Sequence, residues 1–344
     1  MKNLLSTYWW SLILAFLVTV IVIKLMLPFA QHLKLIDHPN GRKYHLSPTP
    51  VIGGIAMFVA LSFSSLCLPT SLQPFRAFFA AALLLIFIGI IDDCYELTPY
   101  FRLFMQIVVG LMMVMWGHVV LNDLGTLMFN IHLNYSMSLI ISVCAMIGII
   151  NAINMLDGID GLVGTMTLLQ FLCLIYLAFI KGYLINITII VFFVPVLLGF
   201  LYFNFPWRKQ VLVFMGDAGS MFLGFALVWF CIYLSQAPHR AARPVVFLWI
   251  MAIPLLDIGA TIIHRLLCGH SPFKPDRKHI HHLLFKLGFN NLAIVLLLGG
   301  ATLVFAIMGI LAEYLQINSM IVLLAFILLF VSYLLLTQYM WRRH

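Results

Sequence analysis

Apolar runs of roughly 17–20 residues recur along the whole of this chain, and each is long enough to cross the hydrocarbon core of a bilayer. They fall at about 8–27, 51–69, 76–91, 102–117, 138–156, 162–180, 187–204, 217–234, 244–264, 293–311 and 320–340. Backbone in hydrocarbon must satisfy its own hydrogen bonds, so repeated runs of this length dictate helices, and the alternation of a membrane barrel is absent. With 64% hydrophobic and 9% charged residues, few soluble folds remain open. The expectation is an all-α, polytopic integral membrane bundle of about eleven transmembrane helices. It forms a single domain over residues 1–344 with no soluble appendage.

The first run carries one early lysine and no clear small-residue cleavage site, so it reads as an anchor and not as a signal peptide. The weakly apolar stretch 117–137 has room for one short extra element. Six scattered cysteines without a CxxC pair predict free thiols. No internal repeat is visible.

Eleven spans force the loops onto alternate sides. Of 19 Lys and Arg, only Lys2, Arg76, Lys181, Arg240 and Arg243 fall on one side, and the other fourteen share the opposite side. By the positive-inside rule the richer side is cytoplasmic, with the N-terminus outside and the C-terminus inside. This distribution accounts for the net charge of +8 without a nucleic-acid partner. The acids follow the same division: Asp37, Asp92, Asp93, Glu96, Asp157, Asp160, Asp217, Asp257 and Asp276 sit at or near the cytoplasmic face, and only Asp123 and Glu313 fall outside. Chemistry is expected on the face that concentrates both signs of charge.

The sharpest motif is Asn151-Ala-Ile-Asn-Met-Leu-Asp-Gly-Ile-Asp-Gly161. Nothing basic lies between Gly148 and Lys181 to neutralise Asp157 and Asp160. Carboxylates at a bilayer cost about 2.5–3.5 kcal/mol each on insertion scales, so they mark function more often than structure. Asn151, Asn154 and Asp157 recur every three residues and share one broad helix face, while Gly158 and Gly161 predict a break. An Asp-Gly turn would explain Asp157 but not the two asparagines deeper in the apolar span.

Four further blocks complete the pattern. Asp37–His45 offers Asn40, Arg42 and His45 to an anion, or is a solvated loop obeying positive-inside. Asp92-Asp93 closes the third span; adjacent acids point different ways on a helix, so one meets a proton or an attacking group and the other a cation or a helix N-terminus. Arg102, opening the next span, is placed to hold a phosphate. Met215-Gly-Asp-Ala-Gly-Ser220 opens the eighth span, where Asp217 is either an N-cap or a Mg²⁺ ligand beside a phosphate site. Arg265 to His282 gathers His279, His281 and His282 among cations that would repel Zn²⁺, which suits a diphosphate better. One face thus offers oxygen ligands for Mg²⁺, cationic groups for phosphates and access to lipid. Phosphoryl chemistry between a soluble diphosphate and a lipid phosphate follows.

These five blocks, in this order, resemble the polyprenyl-phosphate N-acetylhexosamine-1-phosphate transferase family. The form His-Ile-His-His, preceded by Ser271-Pro-Phe-Lys-Pro-Asp-Arg277, is most similar to the bacterial branch that moves N-acetylglucosamine-1-phosphate from UDP-GlcNAc to undecaprenyl phosphate. That branch begins O-antigen and enterobacterial common antigen. The resemblance implies Mg²⁺, with Mn²⁺ as a substitute, on Asp217 and Asn154. It implies a catalytic acidic group of Asp92, Asp93, Asp157 and Asp160, with substrate held by Asn40, Arg42, His45, Arg102, Asn151, Asn154, Arg265, His279, His281 and His282. It also implies a site built from cytoplasmic loops 28–50, 92–102, 151–161, 205–220 and 265–292, in a bacterial inner membrane with the N-terminus periplasmic. UDP-GlcNAc and undecaprenyl phosphate are the expected partners, and a second copy of the chain is a further candidate. The same chemistry on UDP-GalNAc or UDP-MurNAc-pentapeptide stays open, as do a nucleotide-sugar transporter and a lipid pyrophosphatase. A transporter predicts acids near the bilayer midplane.

Overall fold

The computed structural model describes residues 2–37, 48–68, 71–126, 130–183, 188–207, 211–269, 271 and 278–343. Helices follow in the order α1 (Lys2–Met26), α2 (Gly53–Leu66), α3 (Arg76–Tyr95), α4 (Pro99–Leu111), α5 (Tyr135–Leu156), α6 (Leu162–Ile180) and α7 (Thr188–Asn204). After these come α8 (Gly216–Ser235), α9 (Pro244–Ile250), α10 (Ala252–Leu267), α11 (Ile280–Lys286), α12 (Asn291–Tyr314) and α13 (Ser319–Arg343). Each of the eleven apolar runs contains a helix. Among the described residues eight helices are long and apolar enough to cross a membrane, and a bent pair raises this to nine. α2, with 14 residues, and α7, with 17, are apolar but shorter. All six cysteines are free.

The run expected as one span over 244–264 is broken. α9 and α10 meet at Met251 with a bend of 81°. Pro254 lacks the N–H that would bond the carbonyl four residues back, that of Ile250. Buried Gln170 of α6 donates to that carbonyl at 3.0 Å and satisfies it from a neighbouring helix.

α8 is the axis of the bundle. It is almost wholly buried and packs against α2, α3, α5, α6 and α9. Small residues bring its first turn very close to α2 and α3: a Cβ built on Gly54 would lie 2.3 Å from the Gly219 nitrogen, and one on Gly89 would lie 2.2 Å from Ala218 Cα. Segment ends add backbone bonds there, from Gly53 N to Phe214 O and from Gly54 N to Met215 O, both at 3.0 Å. Farther along, Phe78 of α3 packs its ring on Phe225 and Trp229. The start of α8, which carries Asp217, is therefore rigidly placed.

The stretch 117–137 holds a hairpin, β1 (Asp123–Thr126) against β2 (Asn130–His132), at the end of the bundle away from Asp92. Gln236 accepts from Asn122 N and Asp123 N, and Arg240 pairs with Asp123 at 2.5 Å. Burial pushes the Asp123 carboxyl up, but the bonds from Arg240 and the Gly125 N–H outweigh it and hold the group below its ordinary value. At the same end Arg243 donates to Glu313 at 2.7 Å and to Ile317 O at 2.6 Å. The two acids that sequence sets apart from the others each belong to an arginine that pins a loop.

Candidate active site

At the opposite end, α3 runs out at Tyr95 and Glu96 turns the chain with a φ of 48°. Thr98 then starts α4, its side chain accepting from Phe101 N at 3.4 Å. This tight connection returns Arg102 onto Asp92, Nη1 to Oδ2 at 2.9 Å, while Asp92 Oδ1 accepts from Leu97 N at 2.7 Å. Asp93 faces another way. Its Oδ1 accepts from Asp217 N at 2.9 Å and its Oδ2 from Ala218 N at 3.4 Å, so it caps α8 from outside that helix. The adjacent acids point different ways, but the cation and the helix N-terminus, expected as alternatives for one of them, are divided between Asp92 and Asp93.

Asp217 is not the N-cap of its own helix; Met215 holds that position. The Asp217 carboxylate projects from the first turn with about a third of its side-chain surface exposed. Asn154 Nδ2 donates to Asp217 Oδ1 at 2.6 Å and to Ser220 Oγ at 3.0 Å, and Arg102 Nη1 lies 3.8 Å from Asp217 Oδ2. Asp92, Arg102, Asp217, Asn154 and Asp93 thus form one continuous cluster from α3, α4, α5 and α8.

The break predicted at Gly158 and Gly161 is present: α5 ends at Leu156, and Gly161 takes a φ of 75° before α6. Asn204 of α7 locks the turn, accepting from Gly161 N at 2.8 Å and donating to Val213 O at 2.8 Å. Asp157 and Asp160 lie on this turn, each half-buried. Burial, then the charges of Asp217 and Asp160, pushes the Asp157 carboxyl up to about 8. Asn151 sits one turn deeper and donates to Gln106 Oε1 and to Ile147 O, both at 2.8 Å, apart from the carboxylates.

α11 closes over the same turn. His281 is buried, with Nε2 only 2.5 Å from where a Cβ on Gly158 would lie. Both its ring nitrogens lack a hydrogen-bond partner among the described residues. Burial, with His282 and His279 nearby, holds His281 well below the usual histidine range, so the ring is neutral. His279 and His281 are parallel, 5.9 Å apart, and His282 tilts against His281 at 4.2 Å. Arg265 is buried in the last turn of α10. Asn40, Arg42 and His45 lie outside the described residues.

The donors suit Mg²⁺. Among the described residues no three His, Cys, Asp or Glu side chains converge as a cage. Mg²⁺, however, takes one or two carboxylates and completes its shell with water and substrate phosphate oxygens. Asp217, with the Asn154 side chain against it, offers the start of such a set.

The profile of glycosyl transferase family 4 matches residues 75–235. The chain is also 38% identical, over 94% of its length and 91% of the relative's, to the undecaprenyl-phosphate alpha-N-acetylglucosaminyl 1-phosphate transferase of Pasteurella multocida (strain Pm70). The chain belongs to glycosyl transferase family 4. Proteins of the same name from Haemophilus influenzae and Escherichia coli (strain K12) are 35% and 32% identical, over 96% and 94% of this chain and 94% and 89% of theirs. The profile match encloses every acid and amide of the central cluster of this family 4 transferase, from Asp92 to Asp217.

Three functional-looking side chains of the transferase escape sequence reasoning. Asp257, buried in α10, holds His279 Nδ1 at 2.7 Å. Gln106 holds Asn151, and Asn204 holds Gly161. Only Asp257 left a signal, being an acid within an apolar run.

Proposed function

We propose that the protein transfers N-acetylglucosamine-1-phosphate from UDP-GlcNAc to undecaprenyl phosphate, giving undecaprenyl-diphospho-GlcNAc and UMP. The observation that carries this reading is the near full-length similarity to three transferases of that name, in a chain whose acids and amides gather at one end of a helical bundle. A soluble donor and a lipid acceptor meet at such an end. A transporter would place its acids near the bilayer midplane, which this cluster does not favour.

In this reading a phosphate oxygen of the lipid attacks the β-phosphorus of UDP-GlcNAc. The new P–O bond forms as the bond to the bridging oxygen breaks, and UMP leaves. Arg102 orients the lipid phosphate while its partner Asp92 fixes the guanidinium. Because a phosphate monoester ionises near pH 6, Asp92 is needed more for placement than as a base. Asp217 and Asn154 would hold Mg²⁺, for which Mn²⁺ can substitute; a bound divalent ion supplies charge neutralisation of the diphosphate. Asp93 holds the first turn of α8 so that Asp217 keeps its aim. Asp157, Asp160 and Asn151 line the turn and the span beneath it. Arg265, His279, His281 and His282 attend the sugar phosphate, positioning and electrostatics supplying most of the catalysis.

The site faces the cytoplasm of a bacterial inner membrane, an orientation supported by fourteen of 19 Lys and Arg on that side. Purified protein given undecaprenyl phosphate, Mg²⁺ and labelled UDP-GlcNAc, UDP-GalNAc or UDP-MurNAc-pentapeptide should label lipid only from UDP-GlcNAc. Lipid labelled from another donor alone would refute the substrate. Asp217→Asn should abolish Mg²⁺-dependent transfer; full Mg²⁺-dependent activity in that variant would refute the metal assignment.

A further inference from the structure

Asp257 and Tyr333 belong to none of the sequence blocks that mark the site, yet they converge on one of its histidines. Asp257 is buried in the middle of α10. Its Oδ2 lies 2.7 Å from His279 Nδ1, and its Oδ1 accepts from Ile280 N at 2.8 Å. The same Oδ1 accepts from the Tyr333 hydroxyl at 3.0 Å. Thr261 Oγ1 stands 3.5 Å from His279 Nδ1. One carboxylate therefore fixes the ring of His279, the first turn of α11 and a side chain of the C-terminal helix.

An ionised carboxylate has only acceptors, so a bond of this length puts the proton on His279 Nδ1 and leaves Nε2 as the ring atom offered to a ligand. A buried carboxylate costs free energy unless several donors satisfy it, and here the imidazole, a backbone N–H and a phenol do so. α13 makes this notable. It is a largely lipid-facing helix whose buried residues are Ser319, Val322 and Thr337, yet at Tyr333 it sends a hydroxyl inward to Asp257.

We propose that Asp257 and Tyr333 are positioning residues for the transfer reaction: together they hold His279 with Nδ1–H on the carboxylate, so that in the imidazolium form, whose charge the carboxylate offsets, Nε2–H donates to the diphosphate of the nucleotide-sugar donor. This rests on the reading of the protein as a UDP-GlcNAc transferase. It assigns the C-terminal helix a part in donor binding through a single hydroxyl. Asp257→Asn keeps the shape but places an amide where the carboxylate held Nδ1–H. Tyr333→Phe removes one bond to the carboxylate and nothing else.

The test is steady-state transfer by the full chain in lipid nanodiscs, with Asp257→Asn, Tyr333→Phe, His279→Gln and the Asp257→Asn/His279→Gln pair. Thermal unfolding is measured alongside to correct for folded fraction. Asp257→Asn should lower kcat/KM for UDP-GlcNAc about tenfold or more, and Tyr333→Phe roughly threefold, with KM for undecaprenyl phosphate unchanged in both. In the pair, adding Asp257→Asn to His279→Gln should cost little further, because the carboxylate acts through the ring. Additive losses in the pair, or equal losses on donor and lipid terms, would mean that Asp257 only holds the helices together and would overturn the proposal. So would wild-type donor kinetics in Asp257→Asn. A wild type inactive on UDP-GlcNAc would instead remove the function reading, and the proposal with it.

Discussion

Asp93 caps the helix that carries Asp217: its Oδ1 accepts from the Asp217 backbone N–H at 2.9 Å. Two acids far apart in the chain are thereby given different work, one holding the start of α8 and the other projecting from it. Because Asp93 Oδ2 also takes the Ala218 N–H, Asp93→Ala leaves two amides of a buried helix end without that acceptor. The expected cost is about 0.5–2 kcal/mol of stability. Asp93→Asn keeps one side-chain oxygen and should unfold close to wild type. Thermal unfolding in detergent checks this, and equal destabilisation by both variants would count against the cap.

Arg102 is the cation that both Asp92, at 2.9 Å, and Asp217, at 3.8 Å, share. Arg102→Ala should raise KM for undecaprenyl phosphate roughly tenfold to hundredfold, as for loss of a charged hydrogen bond. Arg102→Lys should recover only part of this, since an ammonium lacks the planar fork that can meet a carboxylate and a phosphate together. A lipid titration of both variants measures it. An unchanged lipid KM in Arg102→Ala would remove Arg102 from phosphate binding.

Gly158 faces His281 so closely that an added Cβ would sit 2.5 Å from the ring nitrogen. Gly158→Ala should therefore lower activity by displacing the ring. Removing the obstacle should make the same change milder, so the Gly158→Ala loss in melting temperature should be smaller on a His281→Ala background than on wild type. A double-mutant cycle on melting temperature reads the difference directly. Full additivity would show that the two residues do not touch.

Asp157 carries a pH dependence with a definite sign. Its carboxyl is pushed from the ordinary 3.8 up to about 8 in the folded protein. The folded state thus holds the proton more tightly than the unfolded state. The resulting stability is fully present below the unfolded value and is lost as pH rises through about 8. In the presence of a chelator, wild-type melting temperature should fall between pH 5 and 9 more than that of Asp157→Asn, which has no such group to titrate. Parallel curves would show that Asp157 is not held neutral.

Much of this was legible in the sequence because membrane chemistry is local. Run length alone places helices, the glycines at 158 and 161 forecast the break, and adjacent acids on a helix must diverge, as Asp92 and Asp93 do. Contacts between distant helices were not legible. Nothing in the pattern says that Asn151 meets Gln106, that Asn204 locks Gly161, or that Asp257 reaches His279. The run over 244–264 looked like one span because hydropathy counts Pro254 as a neutral letter; its missing N–H turned out to matter more, and Gln170 had to answer it. At the far end Asp123 and Glu313, which the sequence sets apart from the other acids, each bond an arginine, a pairing the pattern did not announce.

The central claim, transfer of a sugar phosphate with release of UMP, is tested most directly by running it backwards. Purified protein with Mg²⁺, undecaprenyl-diphospho-GlcNAc and UDP-GlcNAc should carry radiolabelled UMP into UDP-GlcNAc, and should carry none when the lipid product is omitted. Release of GlcNAc-1-phosphate from the lipid product with no label entering the nucleotide sugar would contradict the account and point to a pyrophosphatase.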